Sequence, residues 1–213
     1  MNLAIIILNK DKRVKMRIST KYGFTFLCMP KCASTSIEKA LTPYCQLITQ
    51  GGNPGLKHTS YRKYKRFLEP FVRPHAQKEI ETVCIMREPI SWLHSWYRYR
   101  KRDKLAGTPK STIDMDFNKF CELYMENEIK FGRRLQFDTL RDKDGNVGVD
   151  KIFPYENLEL AKKYFEEKIG KEIDFPQLNV SKEEEMILDD GIRKRLIDFL
   201  QKDYEVYNSI TKG

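Results

Sequence analysis

Two groups of residues combine basic and hydroxyl side chains at spacings suited to binding anions. The first group is the run Lys31, Cys32, Ala33, Ser34, Thr35 and Ser36, which directly follows Pro30. The second group is Arg87, which precedes Glu88-Pro89, together with Ser95 eight residues further along the chain. Basic side chains and hydroxyl groups bind the oxygens of phosphate and sulfate. The sequence therefore predicts two anion sites and a ligand with two separated anionic groups.

The elements around the first group are expected to form an anion cradle. Phe24 to Met29 is an apolar run bounded by Gly23 and Pro30, which predicts a buried parallel strand. Ile37, Ala40 and Leu41 then follow at helical spacing. A strand, a short polar loop and a helix N-terminus direct backbone N–H groups towards an anion. The alternative is an ordinary N-capped helix beside which Lys31 is solvated.

The second group is predicted to lie at the end of another strand. Glu81 to Arg87 forms the next apolar run, and Pro89 suits the first turn of a helix predicted from Ile90 to Arg102. Arg87 would then occupy the carboxyl end of a strand, where open α/β sheets bind ligands. Ser95 shares a helix face with Ser91, so its hydroxyl is predicted to add to an anion site at Arg87.

These motifs resemble the sulfotransferase superfamily that uses 3′-phosphoadenosine 5′-phosphosulfate (PAPS), and most closely its carbohydrate-type branch with bacterial and viral members. The resemblance continues in Tyr155-Glu156-Asn157-Leu158, in the N-x-S element of Leu178 to Ser181, and in Asp203-Tyr204-Glu205-Val206-Tyr207. It implies that residues 31–36 bind the 5′-phosphosulfate, and that Arg87 and Ser95 bind the 3′-phosphate. Many relatives carry glycine in the first loop, so Ala33 is expected to keep a negative φ if the backbone approaches the ligand closely.

The resemblance also implies a reaction and a candidate base. The sulfuryl group of PAPS would pass to a hydroxyl or amine of an acceptor, expected to be a carbohydrate, and 3′,5′-diphosphoadenosine would leave. Lys31 would stabilise the charge that develops, and His58 lies near the position of the family's catalytic base. The alternative for His58 is a surface residue beside the basic helix that follows, with Thr59 or Ser60 as its N-cap. The reaction needs no metal, and no ligand cluster in the sequence suggests one.

Composition limits the architecture and the partners. The 213 residues, 40% of them hydrophobic, predict a single domain over residues 1–213. Its expected fold is a three-layer, P-loop-like α/β fold with a central, mainly parallel sheet flanked by helices. The net charge of +9 favours a nucleotide, an acidic glycan, nucleic acid or a membrane as partner. Five cysteines without a C-x-x-C pair, and no apolar run of spanning length, predict a soluble cytoplasmic protein.

Periodicity predicts the remaining elements. Leu3–Leu8 is expected to form a hairpin with Val14–Ile18, and Gln50–Gly55 is expected to form a loop. Asp142–Asn146 fails as a calcium loop because Leu140 and Lys151 would occupy its first and last ligand positions. It is instead predicted to be a turn before a strand at Val149–Pro154. Helices are predicted at Ile113–Lys130, at Leu158–Gly170, and around Ile192, Leu196, Phe199 and Leu200.

Two other classes of protein share part of this pattern. A P-loop kinase would have a similar loop and helix, but the sequence lacks G-x-x-x-x-G-K-[ST], and Lys31 precedes the hydroxyl residues instead of following a glycine. A nucleic-acid-binding module would account for the basic and aromatic residues between Trp92 and Lys104. It would leave the paired anion sites unexplained. Trp92 and Trp96, four residues apart, are also predicted to form a stripe facing the core.

Overall fold

A computed structural model describes residues 16–48, 58–129, 135–176 and 185–211. Within these residues a five-stranded sheet has the order β3-β1-β2-β4-β5. Its strands are β1 (Arg17–Ser19), β2 (Phe24–Leu27), β3 (Leu47–Ile48), β4 (Glu81–Met86) and β5 (Lys151–Pro154). The expected partner strand Leu3–Leu8, the Gln50–Gly55 loop and the Leu178–Ser181 element lie outside the described residues.

The sheet is mixed. β2 pairs in parallel with β4, and β4 pairs in parallel with β5, whereas β1 runs antiparallel to both β2 and β3. The predicted α/β class is confirmed, with an open sheet and accompanying helices. Two of the four pairings are parallel and two are antiparallel. The mainly parallel, three-layer, P-loop-like arrangement therefore stays a prediction. Leu27 is in register with Cys84, so the chain leaves β2 and β4 at the same edge of the sheet.

The helices follow the predicted order but differ at their ends. They are α1 (Ser34–Leu41), α2 (Tyr61–Lys63), α3 (Glu69–Val72), α4 (Pro89–Arg100), α5 (Phe117–Met125), α6 (Phe137–Leu140), α7 (Leu158–Ile169), α8 (Asp190–Phe199) and α9 (Gln201–Thr211). The predicted helix over 113–130 is shorter because Asp116 caps its N-terminus, through a bond from the Lys119 N–H, and Asn127 adopts a φ of +65°. The predicted last helix is two helices that break at Leu200.

Aromatic contacts in the core hold strand β2 against helix α7. Phe24 and Phe26 are fully buried on β2 and pack edge-to-face against Phe165 of α7, with ring centroids 5.1 and 6.2 Å apart. The helix ends at Gly170, whose φ of +74° provides the left-handed C-cap that the sequence predicted. These contacts fix the position of β2, and the loop that contains Lys31 begins at the end of this strand. Among the described residues, no helix is both long and apolar enough to cross a bilayer.

Candidate functional site

The loop after β2 has an unusual backbone. Lys31 and Ala33 both have positive φ angles, +68° and +50°, although neither is glycine. The expectation of a negative φ at Ala33 was wrong: Ala33 is the N-cap of α1, and its left-handed conformation turns the chain into the helix. The Ser34 hydroxyl donates a hydrogen bond to the Met29 carbonyl across the loop. The Ala33 carbonyl accepts from the N–H of Ser36 at 3.0 Å.

We expect Ala33→Gly to raise the free energy of unfolding by about 1 kcal/mol, because glycine carries no Cβ penalty at positive φ. Urea denaturation followed by circular dichroism measures the change. Ala40→Gly is the matched control on the same helix, and should lower the stability by about 1 kcal/mol because Ala40 has ordinary helical surroundings. If both variants lowered the free energy of unfolding by the same amount, the Ala33 backbone would not be strained.

Lys31 lies in a cationic and aromatic environment. Its ammonium group is 4.6 Å from the ring centroid of Tyr99 and 6.0 Å from that of Trp96. Burial and, to a smaller extent, the nearby charges of Arg102, Arg87 and Arg98 together lower the pKa of Lys31 to about 8. An anion bound here would relieve this repulsion and favour the charged lysine. The sequence predicted Lys31 and Arg87 at this site, but not the contributions of Arg98 and Arg102.

Arg87 follows the last residue of β4, and two groups hold its side chain. Its Nε donates to the Ser91 hydroxyl at 2.9 Å, and its guanidinium lies 4.4 Å from the ring centroid of Tyr155. Ser95 is buried one helical turn beyond Ser91. In the structure Ser91 is the serine that bonds Arg87, and the contribution of Ser95 to an anion site stays a prediction. The fixed guanidinium presents its remaining donors in a rigid plane, which suits phosphate.

Gln136 joins the two predicted anion sites, although no motif or periodicity in the sequence indicated it. Its side chain is fully buried. Oε1 accepts the backbone N–H of Arg87 at 3.0 Å, and Nε2 donates to the Arg87 carbonyl at 2.8 Å. The same Oε1 also accepts a hydrogen bond from the Cys32 thiol, with sulfur and oxygen 3.7 Å apart. One amide group therefore ties the loop after β2 to the residue that follows β4.

Asp203 holds Gln136 in place. One carboxylate oxygen accepts the backbone N–H of Gln136 at 3.0 Å, and the other accepts that of Phe137 at 2.8 Å. The carboxyl group is fully buried, and burial raises its pKa to about 7, although the two hydrogen bonds act in the opposite direction. The aspartate of the D-Y-x-x-Y motif thus supports the site from α9.

Two glutamates connect the other motifs. Glu88 caps α4 by accepting the Ser91 N–H at 2.6 Å, and its second oxygen accepts the Tyr204 hydroxyl at 2.5 Å. Glu156 accepts the backbone N–H of Glu88 at 3.0 Å and the Tyr207 hydroxyl at 2.8 Å. The Arg87-Glu88-Pro89, Tyr155–Leu158 and Asp203–Tyr207 motifs therefore contact one another directly, and together they fix the backbone that carries Arg87.

His58 lies beside the end of β2. Its Nδ1 is 2.8 Å from the Cys28 carbonyl oxygen. A carbonyl only accepts hydrogen bonds, so Nδ1 carries the proton and Nε2 is the basic nitrogen of the neutral ring. Ser60 caps α2, accepting the Lys63 N–H at 3.5 Å, as one of the two predicted candidates. His94, on α4, is buried and packs against Phe117 with ring centroids 4.8 Å apart.

The chemistry of the described site is that of an anion-binding surface with a nearby imidazole. Lys31, Arg87, Arg98 and Arg102 supply positive charge, and the serine hydroxyls supply further donors. Within residues 16–48, 58–129, 135–176 and 185–211, no group of three or more His, Cys, Asp or Glu side chains is placed to hold a metal ion. Comparison with protein-family models, curated proteins and solved structures finds no match to this chain.

Proposed function

We propose that this protein is a PAPS-dependent sulfotransferase with a P-loop-like α/β fold. One observation carries the proposal: Lys31 and Arg87 follow adjacent parallel strands, and the side chain of Gln136 joins the Cys32 thiol, next to Lys31, to the backbone of Arg87. A nucleotide with anionic groups at both the 3′ and 5′ positions fits two basic sites on one sheet edge. The resemblance of the surrounding motifs to sulfotransferases selects PAPS among such nucleotides.

Each predicted residue has a role in binding the donor. Residues 31–36 bind the 5′-phosphosulfate through the Lys31 ammonium, the backbone N–H groups and the Thr35 and Ser36 hydroxyls at the start of α1. The Ser34 hydroxyl instead donates to the Met29 carbonyl and braces the loop. Arg87 binds the 3′-phosphate with Ser95, while Ser91 and Tyr155 hold its guanidinium. The lowered pKa of Lys31 supports this assignment, because a site that repels its own lysine charge gains most from an anionic ligand.

The reaction follows from these positions. The acceptor oxygen attacks the sulfur of PAPS, and its proton passes to Nε2 of His58. The bond between sulfur and the bridging oxygen breaks, and that oxygen leaves with 3′,5′-diphosphoadenosine. Lys31 stabilises the charge on the leaving oxygen, and the remaining contribution is positioning of the two substrates. The acceptor is a hydroxyl or amine compound, with a carbohydrate favoured by the branch that the motifs resemble.

We expect 3′,5′-diphosphoadenosine to raise the melting temperature without magnesium. Arg87→Ala should weaken its binding about 10- to 100-fold, because a guanidinium that binds phosphate contributes charge-assisted hydrogen bonds. Isothermal titration calorimetry measures both affinities. Arg195→Ala is the matched control: its guanidinium lies on α8, where it pairs with Glu122 at 3.1 Å, and its loss should leave nucleotide binding unchanged.

The same titrations separate the two alternatives. A P-loop kinase would prefer ATP with magnesium over 3′,5′-diphosphoadenosine. A nucleic-acid-binding module would bind single strands with a steep dependence on salt and would ignore both nucleotides. Either result, or wild-type affinity in Arg87→Ala, would contradict the proposed donor site.

A further inference from the structure

Residues 61–75 form a continuous helical run with one side fixed to the core. The run consists of α2, a π-helical turn at Tyr64–Leu68, α3 and a 3₁₀ turn at Arg73–His75. Tyr64 and Val72 are buried. The Thr25 hydroxyl of β2 donates to the Tyr64 hydroxyl at 3.1 Å, which anchors the run to the sheet. The position of the run against the sheet is therefore set by the fold.

The run also exposes two phenylalanines. The side chains of Phe67 and Phe71 are 62% and 61% exposed, and they are the only large aromatic residues among the exposed apolar residues that the structure describes. They are four residues apart, which places them on neighbouring turns of one face. Most exposed apolar residues elsewhere in the described chain are less accessible and lie singly. An exposed aromatic pair on a rigid helix indicates an interaction surface.

Basic residues surround the pair. Arg62, Lys63, Arg66 and Arg73 are exposed on the same run, and the Arg66 guanidinium lies 5.0 Å from the Phe67 ring centroid. The one acidic residue of the run, Glu69, pairs with Lys65 at 2.5 Å. The surface is therefore cationic around an apolar centre. We call the face formed by Phe67, Phe71 and these four basic residues the Phe67 face.

We infer that the Phe67 face docks onto an anionic lipid surface. Phenyl groups enter the boundary between headgroups and acyl chains, while lysine and arginine remain at the level of the anionic headgroups. A phenylalanine side chain has no polar group to satisfy at that depth, and two exposed rings four residues apart can enter the same bilayer. Single-stranded nucleic acid fits less well, because base stacking uses aromatic platforms along a groove. The inference does not depend on the proposed reaction.

Sedimentation with unilamellar vesicles tests the inference. The wild-type protein should bind vesicles of phosphatidylcholine mixed with phosphatidylserine, and should bind vesicles of phosphatidylcholine alone much more weakly. Added salt should weaken the binding. Phe67→Ala combined with Phe71→Ala should reduce the partition coefficient at least about tenfold, because burying a phenyl group in an apolar phase contributes that much or more. Arg62→Glu combined with Arg66→Glu should reduce it similarly.

Ile187→Ala is the matched control, since Ile187 is 69% exposed outside the Phe67 face, and it should bind vesicles like the wild type. Circular dichroism checks that the melting temperatures agree, as substitutions of exposed side chains should leave the fold intact. The inference is overturned if wild-type protein ignores phosphatidylserine, or if both double variants bind as the wild type does. If the wild type bound single-stranded DNA more tightly than it bound vesicles, and the variant with both phenylalanines replaced lost that binding, the Phe67 face would be assigned to nucleic acid instead.

Discussion

Replacing Lys31 by alanine should lower turnover with PAPS by about 10²- to 10³-fold, the usual loss when one group that stabilises transition-state charge is removed. The ammonium group of Lys31 lies among three arginines in a partly dehydrated site, where its charge acts strongly on a leaving oxygen. The affinity for 3′,5′-diphosphoadenosine should fall less than it does in Arg87→Ala. Initial rates at saturating labelled PAPS with a panel of acceptors measure the effect, and Lys39→Ala, exposed on α1, is the control.

The dependence of kcat/KM and kcat on pH tests the role of Lys31 in a second way. The pKa of Lys31 is about 8 in the free protein, so its charged form is complete below that pH and is lost as pH rises through it. The value of kcat/KM should therefore decline above about pH 8, whereas kcat should persist to higher pH because bound phosphosulfate raises the pKa. Turnover of Lys31→Ala at the wild-type rate, with an unchanged pH profile, would show that Lys31 does not take part in the reaction.

Asp203→Ala should lower the free energy of unfolding by about 3 kcal/mol. The substitution removes both acceptors from the backbone N–H groups of Gln136 and Phe137 and leaves them without these partners in the protein interior. Urea denaturation measures the loss. Asp198→Ala, at an exposed position on α8, is the matched control and should change stability by less than about 0.5 kcal/mol.

The loss of stability caused by Asp203→Ala, its deficit relative to the wild type, should become smaller as pH rises. The pKa of Asp203 is raised to about 7 in the folded protein, above its ordinary value, so the folded state binds the proton more tightly. Between about pH 4 and pH 7 this group's contribution to stability falls as pH rises. The difference between wild type and Asp203→Ala should therefore be larger at pH 5 than at pH 8. An equal deficit at pH 5 and pH 8 would mean that the carboxyl is already ionised in the folded protein throughout this range.

Local patterns predicted much of the fold around the site. The apolar runs before Pro30 and Arg87 were recognisable because buried parallel strands are continuously hydrophobic. Pro89 and Gly170 marked a helix start and a helix end because proline suits the first turn and glycine suits a left-handed cap. Each of these signals depends on neighbours within a few residues. The sequence could therefore place Lys31 and Arg87 at strand ends before any tertiary contact was known.

The contacts that join the site depend on distant residues, and no local pattern reports them. Gln136 is 49 residues from Arg87 and 104 from Cys32, and it lies in a segment without helical or strand periodicity. Asp203 reaches Gln136 across 67 residues. The left-handed backbone of Ala33 was missed for another reason: alanine disfavours that conformation, and only the geometry between β2 and α1 imposes it.

The hydrogen bonds from α9 to the rest of the site have a consequence for synthesis of the chain. Asp203, Tyr204 and Tyr207 hold Gln136, Glu88 and Glu156, which in turn fix the residues after β2 and β4. A ribosome makes Lys31 and Arg87 long before it makes α9. A nascent polypeptide that still lacks α9 therefore carries both basic residues without the hydrogen bonds that orient them, and it acquires a complete binding surface only after that helix has left the exit tunnel.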